Sequence, residues 1–438
     1  MRMPVSSSYQ LPPSATTFYP LDLYRFYTDF VGSIRQSYQQ HGAVFRWYAL
    51  NEFTVMLGAE ANQWAMVTQQ KSLSTAKAWQ RVIGQLFQGG LLLRDGSDHR
   101  QQRRLLMPAF RQEALHYYLT SSEAIIDQHI QAWPSSCPDI YVRLKELTLE
   151  IAVQSFFGIS HPTELKVYNQ LITDVVAGSI AFNRLPVIGR IYQRAVKARR
   201  ELVKLLLPLV GARRLQPTQD MMGQLCQSVD EDGIQLSDVE IIDQLIFIMM
   251  AAHDTTASTL SSTFYELALH PQWQTVIRHE ARAALTTSVA HRPEKLPQTL
   301  MVIRETLRRH TPLKVIPRVT LEDLEFQGFA LPKGTHISVF PSFTHFMDAY
   351  WTKPEVFDPL RFSEERAEHK KHAFAYAPFG GGLHSCLGQF FAEKFLAVIL
   401  GKITLSCAWR IPDIDQVRFQ QIPIQIPRTT LPVELSPV

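Results

Sequence analysis

The chain has 438 residues, 46% of them hydrophobic and 19% charged, so it can bury a substantial core. A formal charge of +4 is too mild to point to nucleic acid, though it allows a local basic patch for an acidic protein partner. The four cysteines, Cys137, Cys226, Cys386 and Cys407, show no disulfide-framework spacing, which fits a reducing compartment. No apolar run of signal-peptide or membrane-span length opens the chain, so a soluble cytoplasmic protein without a transmembrane anchor is expected.

Residues 1–20 read as an extended, proline-punctuated arm, and 21–438 as one domain. A helix is expected over 21–39. Two runs, 43–50 and 53–57, flank Asn51-Glu52 and read as a β-hairpin, with a short helix over 59–69. An irregular stretch, 72–93, ends in Gly89-Gly90. Asp98-His99-Arg100-Gln101-Gln102-Arg103-Arg104 opens a helix on which His99 and Arg103, four apart, share a face. Helices are expected over 113–133, 144–157, 165–180 and 191–206, with an apolar loop over 181–189 that could touch a membrane or simply face the core.

Ser237-Asp238-Val239-Glu240 is a capping box, so a helix starts there and runs to about His270, before Pro271. Some thirty residues span about 50 Å. At its centre stands Ala251-Ala252-His253-Asp254-Thr255-Thr256. Two alanines suit the close approach of a flat cofactor. The Thr255 hydroxyl, one turn after Ala251, competes for the Ala251 carbonyl and loosens the helix. Asp254 supplies a carboxylate from which protons can pass. Taken alone, a Thr-Thr pair in a buried helix equally well just packs.

Glu305 and Arg308 sit three apart on a further helix. Pro312 to Arg318 reads as a strand, and 329–340, turning at Pro332-Lys333-Gly334, as a hairpin. Ile422 to Pro427 reads as a last hairpin. Between them lies Pro378-Phe379-Gly380-Gly381-Gly382-Leu383-His384-Ser385-Cys386-Leu387-Gly388, followed by an apolar helix over 389–402. The glycines allow a sharp turn and close approach of a flat group. A thiolate at a helix N-terminus is stabilised by the dipole and amide donors, and a haem iron takes such a thiolate as its fifth ligand. A buried structural cysteine fits the same residues. Zinc is disfavoured, because no CxxC or His-x-x-x-His partner lies nearby.

Phe379, Gly382, His384, Cys386 and Gly388 resemble the Phe-x-x-Gly-x-Arg-x-Cys-x-Gly signature of the cytochrome P-450 superfamily, with His384 in place of arginine. Ala251 to Thr255 resembles the family's Ala/Gly-Gly-x-Asp/Glu-Thr motif, with Ala252 in place of glycine. Glu305-Thr306-Leu307-Arg308 and Pro359-Leu360-Arg361-Phe362 resemble its paired scaffold motifs. Thr344 to Trp351 resembles a further segment, departing from it at Phe346 and Asp348. The resemblance runs from Leu21 to the end. It implies a single-domain, mainly α fold with a small β-rich region, at about 40–60, 312–345 and 405–438.

The resemblance further implies a monooxygenase holding haem b through Cys386. Phe379, Gly382, Gly388, Ala251 and Ala252 would shape the haem site, and His99, Arg103, Arg318 and His384 would bind its propionates. Thr255 and Asp254 would deliver protons. Glu305, Arg308 and Arg361 would form a structural cluster, tolerable when buried only if mutually paired. Electrons would come from separate proteins, a ferredoxin and its reductase, docking near Arg100 and Arg104 or the helix carrying Lys394. The protein would be a monomer. The pocket residues Phe247, Ile248, Leu313, Val315, Ile316 and Ile424 are apolar, so the substrate would be a lipid, terpenoid, retinoid or sterol. Lys314 could receive a substrate carboxylate. A peroxide-driven peroxygenase or isomerase on this fold, and a non-catalytic haem sensor or carrier, are the rival readings.

Overall fold

The computed structural model describes residues 10–16, 19–48, 52–179 and 189–438. The apolar loop expected over 181–189 lies, apart from Gly189, outside the described residues. The chain forms two compact units. The first comprises 1–79, 305–386 and 419–426; the second comprises 80–304, 387–418 and 427–438.

The first unit holds most of the strands: β1 (Val44–Tyr48), β2 (Glu52–Met56), β3 (Leu73–Ser74), β4 (Ile316–Thr320), β5 (Leu324–Phe326), β6 (Phe329–Leu331) and β7 (His336–Val339). Its main sheet has the order β1-β2-β7-β4-β3. The β1–β2 hairpin pairs Val44 with Met56 and Tyr48 with Glu52. The run 329–340 is not one hairpin. β6 pairs with β5 across Gln327-Gly328, both at positive φ, and β7 pairs instead with β2 and β4. Two consecutive positive-φ residues suit the tight turn of a hairpin better than Pro332-Lys333-Gly334 does.

The strand expected from Pro312 begins only at Ile316. Pro312 has no N–H to give to a ladder. Its carbonyl accepts from the Gln425 N–H at 3.0 Å, and the Lys314 carbonyl accepts from Ser342 Oγ at 2.9 Å. Near the C-terminus, short strands Phe419–Gln420 and Ile426–Pro427 pair, so the last hairpin begins at Phe419 rather than at Ile422, with 421–425 as its connection.

The helix expected over 21–39 is two helices, Tyr19–Thr28 and Phe30–His41. Asp29 separates them, its carboxylate accepting from the Gly32 N–H at 3.1 Å as an N-cap. The described part of the arm is docked, not free. Ala15 donates to the Arg46 carbonyl, and the Arg46 N–H donates to the Pro13 carbonyl, both at 2.8 Å. The helix expected over 59–69 stops as an α-helix at Gln63 and continues as a wider turn, Trp64–Thr68. Part of the irregular stretch is helical, over Thr75–Ile83.

The second unit is helical, with a small three-stranded sheet of Ser136–Cys137, Cys407–Arg410 and Val433–Pro437. The helix expected to end at 206 runs through Pro208 to Leu215. The long helix is Asp238–Leu269, with both arms of the Ser237–Glu240 capping box formed. Its buried residues extend along nearly its whole length, which makes the few exposed ones informative. None of the described helices is long and apolar enough to cross a membrane.

Candidate functional site: a cysteine loop, a notched helix and a buried charge network

The loop before the last long helix is closed by its own backbone. The Cys386 N–H donates to the Phe379 carbonyl at 2.9 Å, and the Ser385 N–H to the Gly382 carbonyl at 3.1 Å. Gly382 has φ +65, and a Cβ there would stand 2.0 Å from the Met66 carbonyl oxygen, so only glycine fits. Phe379, Gly382 and half-buried His384 belong to this one turn. Gly388 is the N-cap of the helix Gln389–Ser406.

The chemistry of the four cysteines separates one from the rest. Cys137, Cys226 and Cys407 are buried, and burial pushes their thiols up, Cys226 and Cys407 to about 11. Cys386 alone is exposed. It is the one sulfur presented to a ligand, and it lies just before a helix N-terminus, where a thiolate is favoured.

On the long helix, Phe247, Met250, Asp254 and Thr255 are half-buried and Ala251 is exposed. Their spacing of three, four, seven and eight residues defines one face. Ile248 is buried at 8%, because one residue on from Phe247 lies about 100° around the helix. Met250 belongs to the face and was not among the expected pocket residues, although its spacing from Phe247 could have revealed it. Ala252 is half-buried beside it.

Thr255 Oγ1 donates to the Ala251 carbonyl at 2.7 Å. Thr259 and Thr263 repeat the bond one and two turns on, each at 2.8 Å. Gly90 packs against Phe247 so closely that a Cβ would stand 2.7 Å from its ring. Gln244 holds that segment, accepting from the Leu91 N–H at 3.1 Å and donating to the Gly89 carbonyl at 2.8 Å.

Asp254 has two basic neighbours that sequence reasoning missed. Lys145 Nζ, from the helix Ile140–Phe157, lies 3.0 Å from Asp254 Oδ1, and His253 Nδ1 lies 3.2 Å from the same oxygen. Burial alone would raise the Asp254 carboxyl. The close approach of His253, with the Lys145 ammonium, outweighs it and holds the carboxyl down at about 2.

His99 and Arg103 lie on the helix Gly96–Leu106. His99 is buried, and burial together with the Arg103 charge pushes it down to about 4, so it is a neutral imidazole near pH 7. Arg103 is half-buried, while Arg100 and Arg104 are exposed. In the first unit, Arg318 is buried on β4, with Nη1 donating to the Pro317 carbonyl at 2.8 Å. Leu313 is exposed, and Val315, Ile316 and Ile424 are half-buried. Lys314 does not share their exposure. It is 4% exposed, and burial pushes its ammonium down to about 7.

Glu305, Arg308 and Arg361 meet in the interior of the first unit. Arg308 Nε and Nη2 reach the two Glu305 oxygens at 2.7 and 2.8 Å, and Arg361 Nε reaches Glu305 Oε1 at 3.3 Å. A fourth member, Glu368, takes Arg361 Nη1 at 3.1 Å and balances the charge. The Arg308 guanidinium also lies 5.4 Å from the Phe346 ring and 5.2 Å from the Trp351 ring. A cation–π contact thus forms at Phe346, one of the two positions where the sequence departs from the segment it resembles.

The sequence profile of the family described as Cytochrome P450 matches residues 11–436. The chain belongs to the cytochrome P450 family. It is 34% identical to cytochrome P450 136 of Mycobacterium tuberculosis over 390 residues, covering 87% of this chain and 79% of that protein. It is 28% identical to abscisic acid 8'-hydroxylase 2 of Arabidopsis thaliana, covering 98% and 90%. A solved structure of a retinoic acid-bound cyanobacterial CYP120A1 superposes with a TM-score of 0.87 at 26% identity, covering 98% of this chain and all of that one. Members are haem-thiolate monooxygenases, so this P450 is an oxidoreductase whose cofactor is a cysteine-ligated haem. The residues present fit that group: Cys386 is an exposed sulfur on a glycine turn, and Ala251 is an exposed small residue at the centre of the long helix.

Proposed function

We propose that Cys386 is the thiolate that holds the haem iron, with His99, Arg103, Arg318 and His384 binding the propionates. Arg103 and Arg318 bring positive charge to this task, whereas neutral His99 brings a ring N–H. When bound, the haem supplies dioxygen activation, for the overall change R–H + O₂ + 2e⁻ + 2H⁺ → R–OH + H₂O. Thr255 Oγ1 and Asp254 handle the two protons. Asp254, ionised at neutral pH, takes a proton from water and passes it on. Thr255 Oγ1, held on the Ala251 carbonyl, keeps its lone pairs available to accept and its proton available to relay. Phe379 shields the sulfur from water.

The substrate in this proposal is an isoprenoid-type apolar molecule carrying one carboxylate. Two of the similar proteins are described with such acids, retinoic and abscisic. The observation that carries the reading is the apolar face at Phe247, Met250 and Ala251, one turn before the Asp254–Thr255 pair. A ferredoxin is the proposed electron donor, docking on exposed Arg100 and Arg104. The test is a spin-state titration of the holoenzyme with retinoic acid, abscisic acid, retinol and a sterol. A low-to-high-spin shift with the acids at lower concentration than with the neutral compounds supports the proposal. A shift with the sterol alone overturns the substrate class and leaves the haem assignment standing.

A further inference from the structure

Elsewhere in the second unit, three side chains with no part in that chemistry come together. His116 lies in the first turns of the helix Gln112–Ala132, and His291 and Glu294 lie in the segment before the helix Pro297–Arg309. One ligand atom from each falls within 4.8 Å of the others. The two imidazole rings stand edge to face with centroids 4.4 Å apart. His291 Nδ1 is 3.9 Å from Glu294 Oε2. On the helix side, Gln112 Nε2 lies one turn back, 3.4 Å from His116 Nε2.

The two elements are pinned to each other beside this cluster. Glu123 is seven residues after His116, on the same face of its helix. Its Oε1 takes Arg292 Nη1 at 3.2 Å and Lys402 Nζ at 3.0 Å, and Lys402 also reaches Asp127 at 2.7 Å. Arg292 follows His291 directly, and both backbone N–H groups donate to the Ser288 carbonyl at 3.0 Å. The buried Arg292 therefore fixes where His291 emerges. His291 and Glu294 are exposed and His116 is half-buried, so their side chains can turn by the small amount that ligation needs.

We propose that His116, His291 and Glu294 bind a divalent transition metal of the zinc(II) class at the protein surface. Two imidazole nitrogens and one carboxylate oxygen supply three ligands of a tetrahedral site, at about 2.0–2.2 Å from the metal, with water as the fourth. The donor set favours zinc, copper or nickel over magnesium and calcium, which demand oxygen ligands. A bound ion ties the helix Gln112–Ala132 to the segment 284–296 and stabilises the folded enzyme by mass action.

The experiment uses chelator-stripped holoenzyme titrated with zinc in competition with a chromophoric zinc dye. One zinc per chain is expected, with affinity falling at least tenfold in His116→Ala and in His291→Ala. His161→Ala, which removes an exposed histidine elsewhere, should bind as the parent does. Zinc should raise the melting temperature of the parent enzyme and not of His291→Ala, and magnesium should do neither. All variants should keep the same carbon monoxide spectrum, showing that fold and haem are intact. Failure of zinc to compete with the dye overturns the proposal, as does binding that both histidine variants retain unchanged.

Discussion

Two charge clusters in this P450 make opposite use of burial. The network of Glu305, Arg308, Arg361 and Glu368 is closed to water, each side chain no more than 6% exposed, and Glu368 also pairs with the part-exposed Arg366. Its leftover donors are also taken up. Arg308 Nη1 gives to the His345 carbonyl at 2.6 Å and Nη2 to the Pro354 carbonyl at 2.7 Å, while Glu305 Oε1 also accepts from the Asp358 N–H at 2.9 Å. The group of Lys145, His253 and Asp254 is open, with the Lys145 side chain 30% exposed and that of Asp254 13%. A closed network holds its charges because water does not reach them. An open one can trade a proton with water, which is what a proton-delivering acid requires.

Breaking the closed network should have the largest effect. Glu305→Gln leaves two buried guanidiniums short of a countercharge, and should cost about 3–5 kcal/mol in chemical denaturation of the holoenzyme. Asp254→Asn should cost less in denaturation than Glu305→Gln does while lowering turnover about a hundredfold, the low end for general acid–base catalysis. If the two variants lose stability equally, the contrast between the clusters disappears.

Lys145→Gln sharpens the comparison. Removing the cation lets burial raise the Asp254 carboxyl from about 2. The acid limb of the turnover profile should then move to higher pH, with little change in melting temperature, as is usual for a part-exposed ion pair. The sign for stability follows from the lowered carboxyl. The Asp254 contribution is complete above the ordinary carboxylate range and is lost as pH falls through about 2.

The smallest effect concerns Lys314. Its ammonium is lowered from 10.5 to about 7, so the unfolded chain binds more protons between those values. Stability should therefore gain from this residue as pH rises from about 7 toward 10.5. Lys314→Met should remove that slope and raise the melting temperature at pH 7 by a few degrees.

The parts of this molecule legible in the sequence are those written in local chemistry. Ser237 and Glu240 start the long helix because the cap that they form spans four residues. The turn at Cys386 follows from glycines within the same short segment. What escaped depended on distant partners or on competing local signals. Lys145 and Glu368 carry no motif that ties them to Asp254 or Arg361. β7 pairs with strands far away in sequence, so the run 329–340 read wrongly as a closed hairpin. Asp29 read as an ordinary helical residue, yet its carboxylate caps the next helix and splits the segment in two. Apolar character alone does not separate Ile248 from Met250, whereas the three-residue spacing from Phe247 and the exposure of each turn do.

The most direct measurement is the carbon monoxide difference spectrum of the reduced protein, parent against Cys386→Ala. The parent should show the absorption band that gives the family its name, the mark of a thiolate opposite the bound gas. The variant should lose it. A variant that keeps the band would contradict the assignment of Cys386, and with it the proposed haem site.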